Sequence, residues 1–470
     1  MFLLSGCAAG PDFVKPEAPA AKSYVREVHP EHDGVGQSFD EGVGPAAYWW
    51  KSFGSSQLDA VVARGLVDNP GLQAAEARLR ASRQNLIAGA GIFYPQVSTT
   101  FTQSREAASP TVSGGSGAIV NLSTLSASVS YALDLFGGQR RGVEALGAQV
   151  EVQQAQTLGA YMTLTGNIVN ASIAIAAWRE ELDELDQLIA IERDQLSIAT
   201  KQNQAGIATY SSVLALQNQL ASLEASIPPV KQKLSQAEHL LATLVGKTPS
   251  EWETPDLRFS GISLPVSVPL SLPSELVRQR PDILAAEAEL HATNAEIGVA
   301  TAALFPSFTL TGGYGRTGNQ PHELSDPVNR FWSVGGNVVQ PIFNGGTLRA
   351  KRRAAIDMRD QALALYRQTV LGAFAQVADL IRALEHDAEA VQAESKALES
   401  TRLSLDLINA NYRAGMVNYL QVILADIQYR QARIGYLEAR ARQMQDTAAM
   451  YVALGGGWQN DTTARQKAGL

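Results

Sequence analysis

The sequence predicts an α+β membrane protein made of two copies of one unit, each pairing very long helices with two strands of membrane-spanning length. Three observations predict it. The first is an internal repeat: RPDILAAEAELHA at 280–292 restates NPGLQAAEARLRA at 69–81, with Pro281 following Pro70, and Pro306 following Pro95, by 211 residues. Later landmarks recur at 209 residues, as Ala205-Gly206 against Ala414-Gly415 and Tyr210 against Tyr419. A period this long lies outside the roughly 20 to 50 residues of solenoid repeats, so it marks a tandem duplication of a whole architecture. The second observation is strict alternation of apolar and polar residues in each copy, and the third is an unbroken helical pattern of some 66 residues after each alternating stretch.

In chain order, residues 1–7 (MFLLSGC) read as a truncated lipoprotein signal. Leu4-Ser5-Gly6-Cys7 resembles a bacterial lipobox, which implies a covalent lipid on Cys7, the one cysteine of the chain. Ala8 after it suits sorting to the outer membrane. With one cysteine there is no internal disulfide. Residues 8–55 form an extended tether and lead-in, rich in proline up to Pro45 and without periodicity. His29, His32 and Asp33 lie in it and lack the fixed geometry of a metal site.

The first repeat, 56–260, opens with helical pattern from Ser56, interrupted at Asn69-Pro70. Asn69 can cap and Pro70 can take the first turn, so the helix restarts there. The hairpin then spans about 95–135. Its clearest strand places Leu125, Ala127, Val129, Tyr131, Leu133 and Leu135 on one face and Ser126, Ser128, Ser130 and Asp134 on the other. A Gly/Ser-rich loop, 109–118, joins it to a weaker partner carrying Val97, Thr99 and Phe101. A rod from about Gln139 to Gln204 follows, about 100 Å long at 1.5 Å per residue. It stops at Ala205-Gly206, a left-handed helix end, and a shorter helix returns from Tyr210 to about Val245. The second repeat, 261–457, restates the plan: a hairpin at about 306–343 with Phe308, Leu310, Gly312 and Tyr314, then Trp332, Val334, Gly336, Val338 and Ile342; a rod from Thr347 to Arg413; a stop at Ala414-Gly415; and a return helix from Tyr419. A tail, 458–470, remains.

Transmembrane strands need about 9 to 11 residues, which these four supply. Four strands cannot close a barrel, since the smallest have about 8, and an open sheet in lipid leaves unpaired edges. If the strands enter a membrane, chains must share one barrel: two chains would give 8 strands and three would give 12. The most apolar stretch, Ile168–Trp178, is too short for a spanning helix.

Charged residues make up 18% of the chain against a typical ~25%, and the formal charge is −8. That balance argues against a nucleic-acid partner, which needs clustered cations. The basic clusters Arg140-Arg141 and Arg349–Arg353 sit at the same place in their repeats and read as helix starts. No active site emerges. Gly246-Lys247-Thr248 lacks the first glycine of a phosphate loop, Gly114–Ala118 lacks the last glycine of a nucleophile elbow, and the acidic run Glu180, Glu181, Asp183, Glu184 and Asp186 reads as a solvated helix face. No catalytic residue, metal ligand or cofactor other than the lipid is expected.

Several motifs then resemble the outer membrane factor family, the TolC-like and OprM-like exit ducts, and within it the lipid-anchored NodT-like branch of RND efflux lipoproteins. They are Tyr48–Gly54, Asp134–Gly137, the RPDI at Arg280, Asn294–Ala300, Phe305-Pro306 and Gln340–Gly346, together covering about Cys7 to Gly457. The resemblance implies a homotrimer with a shared 12-stranded barrel in the outer membrane and a 12-helix tunnel below it. It also implies an inner-membrane pump, of RND type, and a periplasmic adaptor as partners. Pro95 and Pro306 would mark the tunnel–barrel junction. The turns at Gly206 and Gly415 would form the periplasmic tip and gate, with Ser212, Gln421 and Leu424 where the family carries aspartates and Tyr412 matching a family aromatic. Those replacements support a constriction but not an acidic ring. The residues alone leave open a periplasmic coiled-coil adaptor of the membrane-fusion type, and, within the duct class, a type I protein-secretion or metal-efflux channel. A periplasmic enzyme is disfavoured by the missing site.

Overall fold

The computed structural model describes residues 8–21, 23–26, 37–107 and 119–470. Cys7, His29, His32, Asp33 and the loop 109–118 therefore lie outside the described residues. Helices dominate, with one four-stranded sheet and one two-stranded sheet. Two compact units divide the chain: Met1–Pro16, Arg78–Gln153 and Ala285–Arg367 form one, and Glu17–Ala77, Gln154–Leu284 and Gln368–Leu470 the other.

The elements follow the duplicated plan. Strand β1 (Ser38–Glu41) precedes α1 (Ser56–Asp68), α2 (Pro70–Ala90), β2 (Gln96–Ala107), β3 (Ile119–Leu133), α3 (Gly138–Gln204) and α4 (Tyr210–Leu244). The second copy supplies β4 (Ser267–Leu270), α5 (Pro273–Gln279), α6 (Pro281–Ala302), β5 (Ser307–Gly318), β6 (Arg330–Val339), α7 (Thr347–Arg413), α8 (Tyr419–Ala453) and a terminal α9 (Thr462–Ala468). Rods α3 and α7 are each 67 residues long. The strand of the second copy ends at Val339, so Ile342 lies beyond it, past Pro341, whose missing N–H cannot extend a ladder.

The first unit holds the four-stranded antiparallel sheet, ordered β2-β3-β5-β6. Both hairpins thus join into one sheet through β3 and β5, from Ser123 opposite Gly318 to Leu133 opposite Phe308. Strands β2 and β6 are its open edges.

The second unit is held by one large apolar cluster. Trp49, Trp50, Phe53, Leu58, Ile168, Ile173, Ile175, Leu241 and Tyr451 all pack in it. At the restart of each copy the same staple recurs. Asn69 accepts from Leu72 N–H and donates its side-chain amide to the Leu244 carbonyl at 3.0 Å, while Arg280 reaches the equivalent carbonyl of Ala453 at 2.7 Å. Each staple satisfies a helix-end carbonyl that has no partner within its own helix.

Two expectations are corrected here, for the lead-in and the acidic run, and the tail is folded. The lead-in is not merely extended: β1 pairs in parallel with β4, and Trp49, Trp50 and Phe53 are core residues. The tail folds as α9, whose cap residue Asp461 accepts from Thr463 and Ala464 N–H and from the buried Tyr161 hydroxyl, while Lys467 pairs with Glu76 at 2.7 Å. Burial and the Asp461 carboxylate both push the Tyr161 phenol up. The acidic run is not simply a solvated face, because Glu184 is buried.

Candidate functional site

Side chains of a strand alternate between faces, so the register sorts the sheet into two surfaces. Val97, Thr99 and Phe101 stand opposite Val129, Ala127 and Leu125. Those align with Gly312, Tyr314 and Arg316 of β5, and these in turn with Val334, Trp332 and Arg330 of β6. One face is therefore apolar along the body of all four strands, with polar and cationic residues at its loop end, and it is bare: Val97 is 71%, Trp332 74% and Val334 82% exposed. The opposite face aligns Gln96, Ser130, Thr311 and Gly335 in one row and Ser98, Ser128, Gly313 and Ser333 in the next. Ser98 and Ser128 hydroxyls share a hydrogen bond of 2.9 Å. Hydroxyls, glycines and amides fill the middle of this face, with Val120, Leu122 and Phe331 toward the loop end and Val339 at the other; among the described residues its one charge is Glu106 at the loop end. Such a surface keeps water, and the other sheds it.

Both prolines expected at a junction stand where helix turns to strand. Pro95 directly precedes β2, and Pro306 directly precedes β5. Around Pro306, Phe136 stacks on Phe305 with ring centroids 4.7 Å apart, beside a cavity of about 310 Å³ that also touches Asp134 and Val339. The start of α3 is neutralised locally. Asp134 accepts from Gln139 and Arg140 N–H and pairs with the Arg140 guanidinium at 3.2 Å. Buried Arg141 pairs with Asp12 and Glu144; burial alone would lower its pKa, and these two carboxylates raise it instead.

Arg141 also holds the tether. Ala9 N–H donates to the Phe136 carbonyl, Asn294 donates to the Pro11 carbonyl, Phe13 stacks on His291 at 4.4 Å, and Lys15 pairs with Glu287 at 2.8 Å. Ala8 lies so close to Gly137 that a Cβ there would stand 2.6 Å from the Ala8 Cα. The chain behind Cys7 is thus docked beside the strand–helix junction.

At the two helix turns, Gly206 and Gly415 adopt φ of 73° and 72°, a left-handed conformation open to glycine. Ile207 N–H reaches the Gln202 carbonyl and Met416 N–H the Asn411 carbonyl, both at 2.9 Å, so the turns are built alike. Ser212 lies on the first, where Thr209 bonds its hydroxyl at 2.9 Å. On the second, Tyr412 and Tyr419 rings meet at 5.5 Å, Asn418 accepts from Gln421 N–H, and Leu424 is half exposed. Among the described residues no hydrogen bond, ion pair or ring contact joins one turn to the other.

One constellation escaped the sequence. Glu184 of α3 is paired with Arg430 at 3.0 Å and Arg433 at 2.9 Å, both on α8, and Glu180 adds a second bond to Arg433 at 2.8 Å. Apolar contacts flank it, with Leu185 and Leu188 against Ile423 and Ile427. The only signal in the sequence is the three-residue spacing of Arg430 and Arg433, one helix face, against Glu180 and Glu184 at four.

Comparison with known proteins agrees with this geometry. The family model "Outer membrane efflux protein" matches residues 61–247 and 272–456, one segment per copy of the repeat. The pyoverdine export outer membrane protein OpmQ of Pseudomonas aeruginosa is 28% identical over 419 residues, covering 88% of each chain. Nodulation protein T of Rhizobium leguminosarum is 28% identical over 466 residues, covering 97% of this chain and 92% of its own. Among solved structures, the outer-membrane channel OprN superposes with a TM-score of 0.83 at 28% identity, over 96% of this chain and all of that one.

Proposed function

The chain belongs to the outer membrane efflux protein family, and from that premise we propose that three copies close into one exit duct fed by an inner-membrane pump through a periplasmic adaptor. It is an outer membrane efflux channel protein. The observation that carries the trimer is the sheet: one apolar face, one hydroxyl face and two open edges, β2 and β6. Unpaired edges in lipid cost several kcal/mol per group, and pairing β6 of one chain with β2 of the next removes them all when the ring closes. The hydroxyl face then lines the water path and the apolar face meets lipid. The partner pump is of RND type and the substrates are small molecules such as drugs; pyoverdine export, the role in the name of OpmQ, is export through the same kind of protein. Nothing is catalysed, and no cofactor is used beyond the lipid on Cys7. The docking of residues 8–15 supports that anchor, since it holds the chain behind Cys7 at the base of the sheet.

In this reading Pro95 and Pro306 turn tunnel into barrel. Gly206 and Gly415 form the periplasmic tip, and Ser212, Tyr412, Gln421 and Leu424 narrow it. Neutral side chains at Ser212, Gln421 and Leu424 close the tip by packing and hydrogen bonds, without an acidic ring. Single-channel recording in planar bilayers tests this: Gln421→Ala with Leu424→Ala raises passive conductance above that of the wild type. Equal conductance removes these residues from the constriction.

A further inference from the structure

We propose that Arg105, Arg316 and Arg330 form a band, on the outward face of the sheet at its loop end, that binds the phosphates of outer-leaflet lipid headgroups. The inference rests on the apolar face being the lipid face, as above. Arg105 of β2, Arg316 of β5 and Arg330 of β6 fall on the same face as Val97, Phe101, Leu310, Tyr314, Trp332 and Val334. Each stands at the loop end of its strand's apolar run: Arg316 next after Tyr314 on that face, Arg330 next before Trp332, and Arg105 beyond Phe101 and Gln103. Tyr314 and Trp332 are direct cross-strand partners, as are Arg316 and Arg330. An aromatic row capped by a cationic row is what a membrane interface selects, because aromatic rings settle at headgroup depth and long cations reach outward to charge.

The cations are available. Arg105 and Arg330 are exposed, and neither has an ion-pair partner among the described residues. Arg316 directs one guanidinium nitrogen to the Leu324 and Ser325 carbonyls at 3.0 and 2.9 Å, which holds it in place without neutralising it. Three carboxylates occur at this end of the described sheet. Glu106 points to the hydroxyl face, Glu323 accepts from Asn319 N–H at 2.7 Å, and Asp326 accepts from Val328 N–H at 3.0 Å. Two arginines side by side, unpaired with acid, would repel one another in a neutral surround. A guanidinium fork binds phosphate oxygens in pairs, so a phosphorylated headgroup resolves that repulsion. Arg105 and Arg330 lie on the two edge strands, so ring closure brings the arginine of one chain toward that of the next.

The test uses purified full-length protein in phosphatidylethanolamine nanodiscs containing either diphosphoryl lipid A or its fully dephosphorylated form. Retained lipid is counted by native mass spectrometry, and oligomer melting is followed on semi-native gels. The wild type retains about tenfold more of the diphosphoryl form, the scale of a few charge-assisted hydrogen bonds, and melts later with it. High salt erodes the difference. Arg105→Gln with Arg330→Gln abolishes the preference while melting unchanged in phosphatidylethanolamine alone, and Arg105→Lys with Arg330→Lys keeps part of it. Equal retention of both lipids by the wild type, or a preference undiminished in the glutamine variant, overturns the proposal while leaving the duct intact. Failure of the wild type to enter nanodiscs overturns the lipid-face reading and this inference with it.

Discussion

The two rods α3 and α7 are equal in length and equivalent in the duplication, yet they differ in what they leave bare. From Gly138 to Gln204 no large apolar side chain of α3 is exposed, whereas α7 exposes Met358, Leu365, Leu371, Leu403 and Leu407. Their first turns differ in the same sense. Arg140 and Arg141 are paired with Asp134, Asp12 and Glu144, while Arg349, Lys351 and Arg353 have no ion-pair partner among the described residues. The first rod completes its packing within the chain. The second leaves apolar side chains bare and follows β6, an open edge; in the proposed ring a neighbouring copy would cover them.

Four sets of substitutions break or sharpen that contrast, taken from the largest effect. Ile173→Ala on α3, at a fully buried side chain, destabilises the fold by about 2 to 5 kcal/mol, read as a lower denaturant midpoint. Leu365→Asp with Leu371→Asp on α7 leaves that midpoint in place and lowers oligomer yield; an equal loss of fold stability in both variants would erase the distinction between the rods. Val334→Lys or Val129→Lys on the apolar face costs about 2 to 4 kcal/mol at bilayer midplane. Normal yields of heat-modifiable oligomer from both variants would place that face away from lipid. Glu184→Ala removes the carboxylate shared by Arg430 and Arg433 on α8, leaving them Asp426 and Glu180. Their partial exposure reduces the cost to about 1 to 3 kcal/mol, and hydrogen exchange should rise along α8 first.

The smallest effect is a pH dependence. Burial, with the hydrogen bond and charge of Asp446, raises the Asp387 carboxyl to about 7, against the pull of Arg442 and His386. A carboxyl raised in the folded state binds its proton more tightly there than when unfolded, so it contributes stability at low pH that is lost as pH rises toward about 7. Asp387→Asn removes that loss, and thermal melts across this range should flatten in the variant.

Much of the frame was legible because it is periodic. Strict alternation around Val129 reported the two faces of β3, and the Ala-Gly pairs at 205–206 and 414–415 reported the helix stops. Asn69-Pro70 reported a restart, and Asn69 does cap α2. What stayed hidden depends on contacts between distant segments. Nothing near Ser38 signals pairing with Ser267, and Phe13 meets His291 without any local pattern. Glu184 sits in a run of five acids, and its burial comes from arginines nearly 250 residues away. The α9 cap likewise needs Tyr161. At the candidate tip, the turn glycines were readable because left-handed backbone selects glycine, while the roles of Ser212, Gln421 and Leu424 rest on position alone.

Oligomeric mass tests the central claim most directly, measured by light scattering with bound detergent subtracted on protein extracted from outer membranes. Closure of β6 onto β2 around a ring predicts three chain masses. A monomer that stays in solution without detergent would contradict it, because the open edges and the apolar face would then have no lipid and no second copy to meet.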